Sequence, residues 1–355
     1  MKSTLSHITL IIVLSIFISC NGQGNHNNKS QPTATSIKPA KIPVPKNGFN
    51  SGMIDSKGTF WFGSNGSGVF HYNGKTYTNY TRKDGLSSNQ VFSIVEDSNN
   101  NVWFGTQNGL TKYNRKQFKH LPLPFQDTSG VWLAKMYPVI NPNAVHSLAT
   151  DANDNLWIGT AGGGAYSYDG TNFKSFLTEI GKKQEDGLHH NWTPYITRDT
   201  QGAMWFTSMT HGGISRFNGK EFKQFLIEDG LSDNMVRTLY CDASGNLWIG
   251  FNGNRNSGLT VYNGTTFKTF SVEDGICSKR IHAIFEDNNG NIWLGSPLGN
   301  LCIYDGTTFN EFKSKDGRTF SGILFIFEDA NHTIWFGGRY GIWNFDGENI
   351  QEISI

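Results

Sequence analysis

The residues of this chain whose types could do chemistry are three histidines and a scatter of aromatic, cationic and acidic side chains. His189, His190 and His211 offer imidazole nitrogens for a metal or a proton. Adjacent histidines in one extended segment point apart, and no acidic residue keeps a fixed spacing to them, so no metal site is assigned. Trp132, Lys135, Tyr137, Trp192, Arg255, Arg339 and Tyr340 place flat rings beside hydrogen-bonding groups, a combination that suits a sugar or another planar, amphipathic ligand. Asp127, Glu179 and Glu185, with His189 or His190, are the groups that could form the acid/base pair of a polysaccharide lyase or glycoside hydrolase. Nothing in their spacing selects them, so no catalytic residue is assigned. Asp-Gly pairs at Asp84, Asp186, Asp229, Asp274 and Asp316 read as turn formers; a structural calcium under such a loop is the one cofactor considered, and it has no further support.

The elements that must position these residues come from a repeat. Seven aspartates are each followed six residues later by a tryptophan: Asp55/Trp61, Asp97/Trp103, Asp151/Trp157, Asp199/Trp205, Asp242/Trp248, Asp287/Trp293 and Asp329/Trp335. Successive tryptophans stand 42, 54, 48, 43, 45 and 42 residues apart, a period that means radially arranged supersecondary units. The fifth copy shows the unit. VRTLYC reads as strand A, DASGN as a turn, LWIGF as strand B, GLTVY as strand C, NG as a two-residue hairpin turn and TFKTF as strand D. Four antiparallel strands in about 44 residues make one propeller blade. Aromatic or apolar residues recur at the end of strand C and twice in strand D (Tyr72, Tyr77 and Tyr80 in the first copy), which reads as core between blades. Glycine stands two after the tryptophan in six copies, with Thr207 the exception.

The predicted fold is thus all-β, a seven-bladed propeller over residues 47–355, with blades at about 48–82, 83–124, 138–178, 187–227, 229–272, 274–314 and 316–355. GFNSGMI is the weakest strand A, which puts the ring seam there, and each blade reads as whole without a swapped strand.

Residues 1–19 read as an export signal. Lys2 provides the positive charge and Ile8 to Ile18 an apolar run too short to span a bilayer comfortably. The run ends in Phe17-Ile18-Ser19-Cys20, which resembles a bacterial lipoprotein box. That resemblance implies cleavage before Cys20 and lipid attachment to it, and so anchoring in the cell envelope; Asn21 is compatible with the outer membrane. Residues 20–46 are polar and Pro/Asn/Ser-rich, a tether of about 25–30 Å r.m.s. length. Beyond Cys20 only Cys241, Cys277 and Cys302 remain, an odd number that argues against a full disulfide framework; Cys241 and Cys302 read as small buried hydrophobes. With 30 basic and 29 acidic residues, the chain shows no charge excess of the kind nucleic-acid binding requires.

DGLSSNQVFSIVEDSNNNVWFGTQNGLTKYN and DGLSDNMVRTLYCDASGNLWIGFNGNRNSGLTVYN resemble the two-component regulator propeller repeat. The resemblance covers residues 48–355 and implies a periplasmic sensor propeller of the kind found in hybrid sensor kinases, which detect carbohydrates or other nutrients. The chain departs from that pattern in having seven repeats and no transmembrane helix or kinase after them, so the fold carries over and kinase signalling does not. The sialidase Asp box fails to match, because its aspartate precedes glycine by two residues and here the interval is three (Asp242/Gly245).

Connectivity divides the ring into two faces. The Asp-to-Trp spacing across AB and the aromatic spacing across CD never vary, so all length variation falls on the face carrying the DA and BC connections. The longest links run from blade two to three and from three to four. Binding residues concentrate on such loops. The expectation is a lipid-anchored extracytoplasmic ligand-binding or sensing propeller, with a small-molecule or glycan ligand or a partner protein on the DA/BC face of blades two to five. It is read as a monomer that meets the membrane through its anchor and takes no nucleic acid. The alternatives are a lyase or hydrolase acting at that face and a protein–protein scaffold.

Overall fold

In the computed structural model, residues 41–124, 141, 143–177, 192–253 and 258–354 are described. They form seven four-stranded antiparallel sheets, each in the order A-B-C-D along the chain. Strand A of every blade lies beside strand A of the next, and that of blade seven (Ile323–Glu328) beside that of blade one (Phe49–Ile54), so the ring closes. This is the seven-bladed propeller that the repeat predicts. Among the described residues the helical elements are short 3-10 turns, and no helix is long and apolar enough to cross a membrane.

The repeated aspartate does two jobs at once. Its Oδ2 accepts a hydrogen bond from the indole Nε1 of its tryptophan at 2.8–2.9 Å in all seven blades. Its Oδ1 accepts the backbone N–H four residues on, which fixes the AB turn. The third residue after the aspartate has positive φ in each blade, at Gly58 or Gly245 for example, and at Asn100, Asp154 and His332 where glycine is replaced. A carboxylate, an indole and a left-handed residue thus specify one turn seven times.

The CD turn differs from the two-residue turn read from NG. It is a four-residue connection, Asn73 to Thr76 in blade one, in which Asn73 Oδ1 accepts the N–H groups of Lys75 and Thr76. That side chain takes the place of a backbone carbonyl and widens the hairpin. Three of the Asp-Gly pairs form turns alike: Asp84, Asp229 and Asp274 each accept the backbone N–H of the residue three before them, while Asp186 lies outside the described residues.

The core sits between blades. Seven buried clusters among the described residues each join two neighbours, such as Trp61 with Val91, Val102 and Phe104, or Trp335 with Phe60, Phe62 and Phe70. The recurrent aromatics of strands C and D enter these clusters and are structural. The glycine two after the tryptophan is where the next blade comes closest: a Cβ on Gly105 would stand 2.7 Å from Val145 Cγ1. In blade four, strand A is cut to Ile196–Arg198, and Thr207 fills the gap by accepting the N–H of Tyr195 at 3.0 Å.

The seam lies at blade one, as its weak strand suggests. Ile42, within the stretch read as tether, is buried there; its N–H donates to the Ile353 carbonyl, and it bridges in parallel to Ser354. A clasp on the outer strand of blade seven therefore supplements closure, while each sheet keeps its own four strands. The reading of Cys302 as a simple buried hydrophobe is corrected: its sulfur is bonded to Cys277, with the Cα atoms 5.7 Å apart. This ties the link entering blade six to strand C of the same blade and leaves Cys241 as the free thiol among the described residues.

Candidate ligand site in the central channel

Strand A lines the hub of the ring, and in five blades it is bulged near its start. Pairing with strand B jumps from Phe49 to Ser51, Val91 to Ser93, Val145 to Ser147, Val236 to Thr238 and Ile323 to Phe325. The residues passed over are Asn50, Phe92, His146, Arg237 and Leu324. A bulge leaves its extra residue outside the ladder and re-aims the side chain. All five line the central cavity, together with Tyr195 from blade four and His282 from blade six. The cavity measures about 210 Å³.

This ring combines the Arg237 guanidinium with two imidazoles, a phenol and the Phe92 ring. The Phe92 ring stands 4.4 Å from His146, and Trp192 meets the same imidazole edge-on at 6.0 Å. Burial, and after it the Arg237 guanidinium, holds the His146 imidazole down at about 3. His282 is held at about 2 by burial and then by Arg237, Arg280 and Arg339. Burial also lowers Arg237 and raises the Tyr195 phenol, which is partly countered by Arg237. Tyr195 is 36% exposed and lines the cavity with them. His282 Nε2 is 3.0 Å from Asn252 Oδ1, a contact that makes Nε2 the protonated nitrogen when the amide oxygen faces it. None of the described cavity-lining residues is an aspartate or glutamate.

Of the residues nominated from sequence, the structure brings two to this site. Trp192 pairs with Ala161 across the blade three–four junction and packs on His146. Arg339 lies at the seam against Gly48, and its charge acts on His282. Tyr340 beside it is 59% exposed, over Gly322. His211 sits exposed at the tip of the BC loop of blade four with φ of 67°, and no described contact brings it to the channel. Trp132, Lys135, Tyr137, His189, His190, Arg255, Cys20 and the carboxylates Asp127, Glu179 and Glu185 lie outside the described residues. Among those described, no group of three metal-ligating side chains converges.

The channel residues escaped sequence reasoning, although a signal was available. Five residues ahead of the turn aspartate the seven copies read Asn50, Phe92, His146, Pro194, Arg237, His282 and Leu324. No other strand A position mixes polar, charged, aromatic and aliphatic types so freely. Periodicity alone would pair this residue with strand B and turn it into the sheet's alternation; in five blades a bulge sends it to the hub.

A seven-bladed propeller with a chemically varied hub is the class of structure these features define. Residues 85–108, 140–162, 230–253 and 275–297 match the family model described as "Two component regulator propeller", and each match runs into strands A and B of one blade. The chain therefore carries two component regulator propeller repeats. Histidine kinase P4 of Formosa agariphila is 28% identical over 173 residues, which is 46% of this chain and 12% of that protein. The extracellular domain of the hybrid two component system BT3049 from B. thetaiotaomicron superposes with a TM-score of 0.67 at 23% identity, over 90% of this chain and 40% of that one. Virginiamycin B lyase from Staphylococcus aureus, solved with quinupristin, gives 0.63 at 17% identity over 85% and 95% of the two chains. At these identities the solved structures speak for the fold. The chain spans a small part of the kinase and less than half of the BT3049 domain.

Proposed function

We propose that this chain is an exported ligand-binding or sensing propeller, lipid-anchored through Cys20 to the bacterial cell envelope, whose ligand is held at the DA/BC mouth of the central channel. The observation that carries the reading is the ring of bulge residues: a strand A position that mixes charged, polar, aromatic and aliphatic types is turned into the hub. Propeller repeats shared with a histidine kinase support a sensing role, as does the likeness to an extracellular domain of a two component system. The disulfide is of a kind that persists in an oxidising compartment, in keeping with export. A carbohydrate or other nutrient suits the aromatic side of the hub, where Phe92 and Trp192 flank His146.

Binding is favoured over glycoside hydrolysis because the described hub residues include imidazoles and a guanidinium but no carboxylate pair to act as acid and base. The test has two parts. Labelling cells with a fatty-acid analogue should mark the wild-type chain and not Cys20→Ser. A thermal-shift screen of the mature chain against neutral and acidic oligosaccharides should yield stabilising ligands whose effect falls in a His146→Ala variant. Turnover of a stabilising glycan would replace the binding reading with an enzymatic one.

A further inference from the structure

We propose that the hub of the propeller is an oxyanion site centred on Arg237, taking a carboxylate, sulfate or phosphate group either free or as the acid group of a larger ligand. The inference deepens the reading of the channel as a ligand site and rests on it.

Three arginines elsewhere in the molecule are matched by carboxylates, whereas Arg237 faces a cavity without one. Arg115 pairs with Asp55 and Glu96, Arg216 with Asp199 at 3.1 Å, and Arg318 with Glu352 at 3.7 Å. The two larger grooves are likewise mixed in sign: Lys313, Lys315 and Arg318 face Asp316, Glu348 and Glu352 at the rim of blade seven, and Asp199 faces Arg216 between blades four and five. Arg237 enters none of the ion pairs or side-chain hydrogen bonds found among the described residues, and it sits where its polar neighbours, Asn50, Ser51, Ser93, His146, Ser147, Tyr195 and His282, include no carboxylate. Arg280 and Arg339 add two more positive charges within reach of His282. The turn aspartates that end each strand A lie at the opposite face and are committed to their tryptophans.

Arg237 is partly exposed to the channel, and a guanidinium with no partner in the protein has its donors free to complete their hydrogen bonds with an anion there. Its planar fork matches two oxygens of one anion, and neighbouring imidazoles can donate to the same group once protonated. The volume is right for one such group. At about 30 Å³ per water, 210 Å³ holds about seven waters or a single small anion. The bulge is what makes this geometry, because an unbulged Arg237 would lie in the strand alternation and leave the hub.

The experiment titrates the mature chain with sodium phosphate, sodium sulfate, glucuronate and glucose at constant ionic strength set by chloride, by calorimetry and thermal shift. It is repeated with Arg237→Gln and Arg237→Lys. One or more anions should bind the wild type, at least tenfold more weakly to Arg237→Gln, with Arg237→Lys in between because it keeps the charge and loses the fork. Glucuronate binding well above the inorganic anions assigns the site to acidic sugars, and the reverse order assigns it to free anions. The His146 and His282 C2-proton resonances should titrate at higher pH when the anion is bound. If Arg237→Gln retains a native melting curve and wild-type affinity for every anion, the oxyanion inference falls. If glucose binds as well as glucuronate and His146→Ala abolishes both, the ligand site stands without it. If channel variants alter no binding at all, both readings fall.

Discussion

Replacing Asp287 by alanine tests the turn that builds the ring. The carboxylate accepts from Trp293 Nε1 at 2.8 Å, from the N–H groups of Asn289 and Asn291 at 2.9 Å each, and from Asn291 Nδ2 at 3.0 Å. Trp293 is 2% exposed, so its indole N–H would be left without a partner out of reach of water. A buried donor stranded in this way costs about 1–3 kcal/mol. The turn donors are nearer the surface and recover part of their loss from water, which leaves about 1 kcal/mol more. Asp287→Ala should therefore lower the free energy of unfolding by about 3 kcal/mol. Asp287→Asn keeps an acceptor for the indole and should lose about half as much. Urea unfolding followed by tryptophan fluorescence reads both. A loss below about 1 kcal/mol for the alanine variant, or equal losses for the two, would refute the claim that the carboxylate–indole bond specifies the turn.

Other consequences concern pH, packing and the disulfide. Burial would raise the Asp55 carboxyl, but hydrogen bonds from Trp61, Arg115 and Thr59 outweigh it and hold it at about 2. Its folded value is thus below the unfolded one, so the stability it contributes, about 2 kcal/mol, is present above pH 3.8 and lost as pH falls towards 2. Acid unfolding of Asp55→Asn should lack that component, and identical acid limbs for the two proteins would contradict it. Gly105→Val drives a side chain into Val145 of the next blade and should cost more than about 2 kcal/mol, whereas Gly74→Asn, at a turn tip with nothing within 4 Å, should cost less than about 1 kcal/mol. Equal melting temperatures for these variants would show that the inter-blade approach is not tight. Removing both Cys277 and Cys302 as serines should lower stability by about 3 kcal/mol in chemical denaturation, the usual worth of closing a loop of that length. No change on reducing the wild type would contradict the bond.

The blades were legible because each is written seven times. Asp242, Gly245 and Trp248 recur in register with the other copies, and the hydrogen bond from each tryptophan to its aspartate explains why neither varies. The length of the DA and BC links drew attention to Trp192 and Arg339, which lie near the hub. What the pattern concealed was direction. Arg237 and His146 sit inside strands whose alternation reads as ordinary pairing, and a bulge has no period of its own. The disulfide was hidden for a related reason: Cys277 and Cys302 are 25 residues apart in sequence and meet only when the link into blade six folds back on strand C. Ile42 lay in a polar stretch that resembles a tether, and only its seat against Ile353 and Ser354 marks it as part of the ring.

The bulge residues are the ligand site if one comparison holds. An oligosaccharide library containing neutral and acidic members is screened by thermal shift against the wild type, an Arg237→Gln/His146→Ala variant of the hub and a Trp132→Ala/Lys135→Ala variant of the outer link. The hub variant should lose the wild-type hits while the outer variant keeps them, both with melting temperatures close to that of the parent. Hits that survive in the hub variant and vanish in the outer one would place the site on the link and contradict the channel reading.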